Sequence, residues 1–551
     1  MIRLTVFWTA VLLIGAYSWK DWFWGLCGLI IMVGLLEMPD VPKTVFGISG
    51  LNFFNALLLN VIIAWLVARH RENLEWDFPA HIWILLVMYL GIVLFGFYRM
   101  YGDRSYLEHE TTSTLIREYL INTIKWAIPG IMLYDGCRTR QRVVVAVLAV
   151  AGIYLFLGVM VIKVMPIRAV MLSGTELQKL ALKLLLSRVG LHRVTLSMML
   201  AGGSWAFLSL RGLTTDRRLR LLAMACFFVV FYGQSLTGGR AGYITWGIIG
   251  LTLCLLRWRG YLLIAPLAVA LLLVFVPSVG DRLFEGFIRN QFNSSITVND
   301  YDVTAGRNVI WPLVIDKIQH GMWLGFGRMA MWRTGIVAYA STVLAEDFGH
   351  PHNAYLEWLL DNGIVGFVPV VLFYIVALYH ALRLFCDRRS GLFMTAGGTA
   401  AAHILALLGA SMGSQSFYPI EGTIGMWCAI GIMLRVSVNR TKALAVLAAE
   451  QTSEGRPFAL AVPRPAAAAA SIETLMWPLA KSIFSVPQKP PSTATPVPIV
   501  PRATTPRATT PGVRTPRDVP SRSVARTGTA AAARAEPETA PRPHFTFTRR
   551  G

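Results

Sequence analysis

The stretch "VVVAVLAVAGIYLFLGVMVIKVM", residues 143–165, carries a single charged side chain, Lys163. As a helix it would be about 35 Å long, enough to cross a hydrocarbon core about 30 Å thick, and it is apolar on every face. It reads as a membrane-spanning helix, and comparable runs recur along the chain. They lie at about 5–18, 22–36, 51–68, 81–98, 118–134, 194–210, 219–236, 241–256, 261–278, 363–382, 393–410 and 420–434. Of 551 residues, 55% are hydrophobic and 15% charged, which points to an all-α polytopic integral membrane protein rather than a water-soluble domain. Of the thirteen runs the first two are short, and "LINTIKWAIPGIMLY" (120–134) contains Lys125 and Pro129. At least one of these is expected not to cross, leaving about twelve transmembrane helices.

The first run follows Arg3 but ends in "GAYSWKDWFWG", with no small-residue cleavage site, so it reads as a retained helix. Six cysteines lie singly in or beside apolar segments, without the spacing of a zinc site or a disulfide framework. Lysine and arginine bias sets the orientation: "RGLTTDRRLR" (211–220), "RWRG" (257–260) and "RLFCDRRSG" (383–391) are basic, and "SMGSQSFYPIEGT" (411–423) has neither residue. With the basic loops inside, the Arg240 turn and the long loop that follows fall outside. Counting back to residue 1, parity supports one false span in the first half. The segment 166–193 is basic yet falls outside, against the rule; its Leu and Lys spacing suits either an amphipathic surface helix or a simple loop.

The organisation that follows is N-terminal spans with this segment in 1–189, central spans in 190–278, a large outer loop in 279–355, C-terminal spans in 356–436 and a tail in 437–551. The tail holds sixteen Lys and Arg against six Asp and Glu, about half of the net charge of +21. "VPQKPPSTATPVPIVPRATTPRATTPGVRTPRDVP" (486–520) repeats "PRATT" and cannot bury a core, so the tail is expected to be disordered. Attraction to anionic membrane lipids explains its charge better than a partner-docking or nucleic-acid-binding arm, since no groove-reading module is visible.

Three polar stretches stand out on the outer face. In "GQSLTGGRAGYITW" (233–246), Arg240 sits between two apolar runs beside Gly238, Gly239 and Gly242, where a helix begins. That suits a phosphate, and it equally suits a tight hairpin whose arginine touches headgroups. In "TAGRNVIWPLVIDKIQHGMWLGFG" (304–327), Arg307 precedes an amphipathic helix with Ile310, Leu313, Val314 and Ile318 on one face, Thr304 in position to cap it, and a turn at "GFG". In "GHPHNAYLEWLLDNGIVG" (349–366), His350 and His352 are too close in sequence to share a helix face as a zinc pair, and Glu346 and Asp347 nearby form no convincing metal cluster. A neutral His352 at a helix start suits general-base work; the bland alternative is that His352 and Asn353 cap the helix, with Glu357 in its first turn.

In this order the three stretches resemble the O-antigen ligase and O-antigen polymerase superfamily over roughly residues 190–435. His352, Asn353, nine residues and then Gly363-Ile364-Val365-Gly366 match its pattern of His, a polar amide or hydroxyl residue and a later G-x-x-G. "SLTGGRAG" is similar to the family's Thr-Gly-Ser-Arg-Gly turn, with Gly239 in place of Ser and Ala241 after the arginine, and "GRNVIW" to its Arg and Trp pattern. The resemblance implies a GT-C-type glycosyltransferase in a bacterial inner membrane, with its catalytic loop in the periplasm. It would use a glycan on polyprenyl (undecaprenyl) diphosphate and an acceptor hydroxyl on lipid A core, another glycan or a protein. On that basis Arg240 and Arg307 bind the diphosphate, His352 is the base, and Asn353 and Glu357 support it. His350, Arg289 and Arg328 are second-tier candidates. Metal-independent, inverting transfer without a cofactor is expected. The long loop before the last three spans leans toward a ligase over a polymerase or a protein O-oligosaccharyltransferase. A transporter or flippase is the non-enzymatic rival, with a membrane scaffold recruited through its tail as a third possibility.

Overall fold

The structure, a computed structural model, describes residues 2–42, 44, 45, 50–284, 307–343, 348–413, 416–453, 472 and 474–477. Regular structure among them is helical throughout, with no β-strand. Six helices are long and apolar enough to cross a membrane: Phe53–Arg71, Ala80–Gly102, Arg140–Val164, Ala354–Cys386, Gly391–Ala410 and Glu421–Ala449. Two bent pairs, Gly174–Arg188 with Arg193–Leu213 and Gly260–Phe275 with Pro277–Phe284, raise the number to as many as eight. The chain is therefore a multi-pass membrane protein.

The gap between this number and the twelve expected has local causes. Leu4–Tyr17, Trp22–Leu36 and Arg240–Leu256 are apolar helices but short. Arg217–Ser235 spends its first turn on Arg217, Arg218 and Arg220, which shortens its apolar part. The run 118–134 is not one helix, because a turn at residues 125–127 separates Asn122–Ile124 from Ile128–Gly136. There Lys125 Nζ donates to Asn55 Oδ1 at 3.0 Å and Asn122 Oδ1 at 2.7 Å, side-chain oxygens that a broken helix can bring to a half-hidden ammonium. Of the alternatives for 166–193, the structure has the amphipathic helix. Gly174–Arg188 starts at a Ser173–Glu176 capping box, buries Leu177, Ala181 and Leu185, and lies at 87° to the next helix. The last helix runs past the expected boundary at 436, to Ser453.

Arg193–Leu210 is the central helix, buried continuously from Leu196 to Leu210. Gly391–Ala410 packs on it through small residues, with Gly398 against Ser209 and Gly202 against His403, the close approach on which helix pairs depend where water supplies little driving force. The arrangement gives the bundle two chemically different ends. At one end Gly212 abuts Gly391 and Arg257 Nη1 donates to Asp387 O at 2.8 Å, so the three basic loops meet there. At the other end the Arg240 turn and the His352 loop meet. Ala241 touches Gly413, and Ala354 N donates to Ser411 O at 2.8 Å.

Candidate functional site

The Arg240 turn is built by packing. Gly238 has φ +65°, and a Cβ on Gly242 would fall 1.9 Å from Ser197 Oγ on the central helix. Both glycines are thus required by the backbone whether or not a phosphate binds, and the case for an anion rests on the cations. Arg193 Nη1 donates to Gly238 O at 2.7 Å and Arg282 Nε to the same oxygen at 3.2 Å. Tyr243 Oη accepts from Gly238 N at 3.1 Å and donates to Ser235 O at 2.5 Å, closing the turn. Arg193 and Arg282 are 8% and 5% exposed, and Arg240 bears on the charge of each. Arg193 Nε finds no hydrogen-bond partner among the described residues. The Arg240–Leu256 helix starts here behind Gly239, with no side-chain cap over its first N–H groups. Three guanidinium groups and an open helix N-terminus at one turn make a strongly anion-favouring surface.

Arg307 opens the helix Arg307–His320, as its amphipathic pattern predicts, and Ile310 and Val314 are fully buried while Leu313 and Ile318 pack beside them. Thr304, its expected cap, lies outside the described residues. Trp311, one turn on, donates Nε1 to Pro351 O at 2.8 Å, and Trp332 Nε1 donates to Gly349 O at 3.0 Å. Two indoles therefore clamp the carbonyls of the His350–His352 loop. His352 itself adopts φ +51°, a conformation uncommon for a residue with a Cβ, and its backbone N–H donates to His350 Nδ1 at 3.2 Å. That bond makes His350 Nδ1 an acceptor and puts the proton of a neutral His350 on Nε2. The two imidazole centroids are 4.0 Å apart. His350 thus helps to fix the backbone at His352.

Burial, followed by the charges of His350, Arg307 and His192, pushes the His352 pKa down from 6.5 to about 3. Crowding by protein and then Arg307 lower His350 in the same direction, although it reaches the surface. The shift favours a neutral imidazole at His352, within the electrostatic reach of Arg307. The two halves of the site connect through neighbouring residues, since His192 acts on His352 while Arg193 holds Gly238.

Asn353 caps Ala354–Cys386, its Oδ1 accepting from Tyr355 N at 3.0 Å and Leu356 N at 3.3 Å. Glu357 lies in the first turn; its carboxyl bonds to Ser416 and feels Asp361 and Arg328. Arg328 is buried away from the imidazole. It donates to Tyr119 O at 3.1 Å and Thr123 Oγ1 at 2.9 Å, and lies 3.9 Å from the Tyr418 ring centroid. Its role in the structure is to hold the 119–123 segment against Tyr418. Arg289, Glu346 and Asp347 lie outside the described residues.

The G-x-x-G motif also has a local cause. Gly363 interrupts its helix at φ +60°, and a Cβ there would meet Trp323 O at 2.3 Å. The freed backbone pairs with the "GFG" turn, as Phe326 N donates to Leu360 O, Gly327 N to Asp361 O and Val365 N to Trp323 O. Asp361, which the sequence did not single out, accepts from Ala330 N at 3.0 Å and Tyr418 Oη at 2.9 Å. Arg193, Arg282 and His192 were missed too. The signal for the first and last was the basic segment ending "GLHR", whose Arg193 is used inside the protein.

No curated protein matches the chain. Residues 221–371, the span that contains Arg240, Arg307, His352 and Gly363, match the family model for O-antigen ligase, and the chain's resemblance to the O-antigen ligase superfamily is borne out.

Proposed function

We propose that the protein is an O-antigen ligase-like glycosyltransferase of GT-C type, which moves a glycan from polyprenyl diphosphate to an acceptor hydroxyl at the outer face of a bacterial inner membrane. The observation that carries this is the convergence of an arginine-lined turn and a neutral His352 at one end of the bundle, joined through Ser411–Gly413 and His192–Arg193. The acceptor oxygen attacks the anomeric carbon. The C–O bond to the diphosphate breaks, its electron pair leaves with the polyprenyl diphosphate, and the acceptor proton passes to His352. Arg240 and Arg307 grip the diphosphate through paired hydrogen bonds, Arg193 and Arg282 hold the turn that presents Arg240, and the first N–H groups of Arg240–Leu256 face the developing charge. Displacement in one step inverts the anomeric centre, and two arginines supply charge that a metal ion would otherwise provide.

Purified protein given a polyprenyl diphosphate glycan and a panel of lipid A core, glycan and protein acceptors tests this directly. His352→Ala is expected to lose about a hundredfold or more in transfer, the ordinary contribution of a general base. Unaltered transfer by that variant removes the base assignment. Activity abolished by EDTA and restored by a divalent ion removes the metal-free step, and movement of intact donor without bond cleavage favours a flippase.

A further inference from the structure

The helices Arg193–Leu210 and Arg240–Leu256 both begin at the Gly238 turn, and with 18 and 17 residues they carry the chain about 26 Å from it. Their far ends open on a cavity of about 690 Å³. Arg140, Arg211, Arg220 and Arg257 line it together with Thr215 and Trp258, and no carboxylate is among its lining residues. The hydrogen bonds that orient three of these arginines go to neutral oxygens. Arg211 Nη1 donates to Tyr261 Oη, Arg220 Nε to Thr214 O at 2.8 Å, and Arg257 Nη1 to Asp387 O at 2.8 Å. Nearby carboxylates are engaged elsewhere: Asp387 with Arg440 at 2.7 Å, and Asp216 with the N–H of Arg218 at 2.8 Å. Arg140 and Gly391 are also the first residues of long helices, whose positive ends meet the negative ends of Arg193–Leu210 and Arg240–Leu256 here, so the field of the cavity rests on its guanidinium groups.

We infer that this cavity is a binding site for a phosphate-bearing anion, the phosphate headgroup of a lipid, on the membrane face opposite His352. The separation of about 26 Å from the Gly238 turn is close to one hydrocarbon thickness, which sets the cavity at headgroup depth. Leu219, Leu221 and Leu222, around the same helix turn as Arg220, are 51%, 59% and 58% exposed, giving acyl chains an apolar surface at the level of a phosphate held by Arg220. A soluble phosphate would use the arginines and leave that surface without a role. The site does not depend on the transfer reaction proposed above.

The test uses full-length protein reconstituted in equal parts phosphatidylglycerol and phosphatidylcholine, released and weighed with its retained lipids by native mass spectrometry. Wild type is expected to retain phosphatidylglycerol preferentially. Arg220→Gln should lower that preference about fivefold, the worth of one arginine at an anionic surface, and Arg220→Lys should keep most of it. Among the described residues Arg220 bonds through Nε to Thr214 O, so its replacement is a mild one for the fold; a monodisperse elution profile and unchanged far-UV circular dichroism verify this. A wild-type preference for phosphatidylglycerol that Arg220→Gln retains in full overturns the site. A second arm measures the shift in melting temperature by inorganic pyrophosphate in lipid-free detergent. Stabilisation of wild type but not of Arg220→Gln, without any lipid preference, keeps the anion site and overturns the lipid as its occupant.

Discussion

At His352 the protein holds an imidazole whose pKa has fallen to about 3, from 6.5, through burial and then the positive neighbours His350, Arg307 and His192. Between those two pH values the unfolded chain binds a proton that the folded chain refuses. The stability this group contributes is therefore full above about pH 6.5 and is lost as pH falls toward 3. In the transfer proposed above, with His352 as base, the same shift keeps the imidazole unprotonated at neutral pH, so kcat/KM, which reports the free enzyme, should show no acid limb near 6.5. It also leaves the free enzyme with a weak base. A diphosphate bound beside Arg307 would bring negative charge to the imidazole and raise its pKa in the complex. The acid limb of kcat is thus expected at higher pH than that of kcat/KM, and Arg307→Gln should move the kcat/KM limb upward while costing about tenfold or more in rate. Coincident limbs in wild type would show that the anion does not sit beside His352, and no movement in the Arg307 variant would show that Arg307 does not act on the imidazole.

At the scale of the elements, the break at Gly363 joins the Ala354–Cys386 helix to the loop that precedes it. The kinked helix offers Leu360 O and Asp361 O to the N–H groups of Phe326 and Gly327, and Trp323 O and Met322 O accept in return from Val365 and Ile364. A methyl group at Gly363 meets both a left-handed φ and the Trp323 carbonyl. Gly363→Ala is expected to destabilise the protein by about 1–3 kcal/mol, with earlier proteolytic cleavage between residues 321 and 327 and a lower melting temperature. An unchanged melting temperature would mean that the break is not a fixed feature. The sequence made Arg240, Arg307 and His352 legible as candidates because each is a polar residue at the start of an apolar or amphipathic helix, where polarity is costly and local. Arg193 and Arg282 were harder to find, since their value depends on one carbonyl, that of Gly238, 45 and 44 residues away. The number of crossings was less legible for a similar reason. Composition marks an apolar run, but whether Lys125 ends one or Pro277 bends one is settled by partners elsewhere in the fold.

Across the whole molecule, the two ends of the bundle differ in kind. One gathers the loops at 211–220, 257–260 and 383–391 around four arginines, and the other gathers the Arg240 turn, the Ser411–Gly413 turn and His352. Positive charge on short loops favours the cytoplasmic side, which would leave His352 facing out. The protein carries its own reporter for this, because Cys386 is exposed at the basic end, while Cys27, Cys137, Cys254 and Cys428 are buried and Cys226 is partly so. Met412, 56% exposed, lies in the turn at the opposite end. In intact cells with a permeable outer membrane, a membrane-impermeant maleimide should label Met412→Cys, with Cys386→Ser as background. Wild-type Cys386 should react only after the inner membrane is opened. Labelling of both positions from the same side would overturn the orientation, and with it the placement of the arginine turn and His352 on the outer face. The reverse pattern, Cys386 outside and Met412→Cys inside, would keep the two-ended architecture but put the site with the cytoplasm, where a donor assembled for export would meet no outer acceptor.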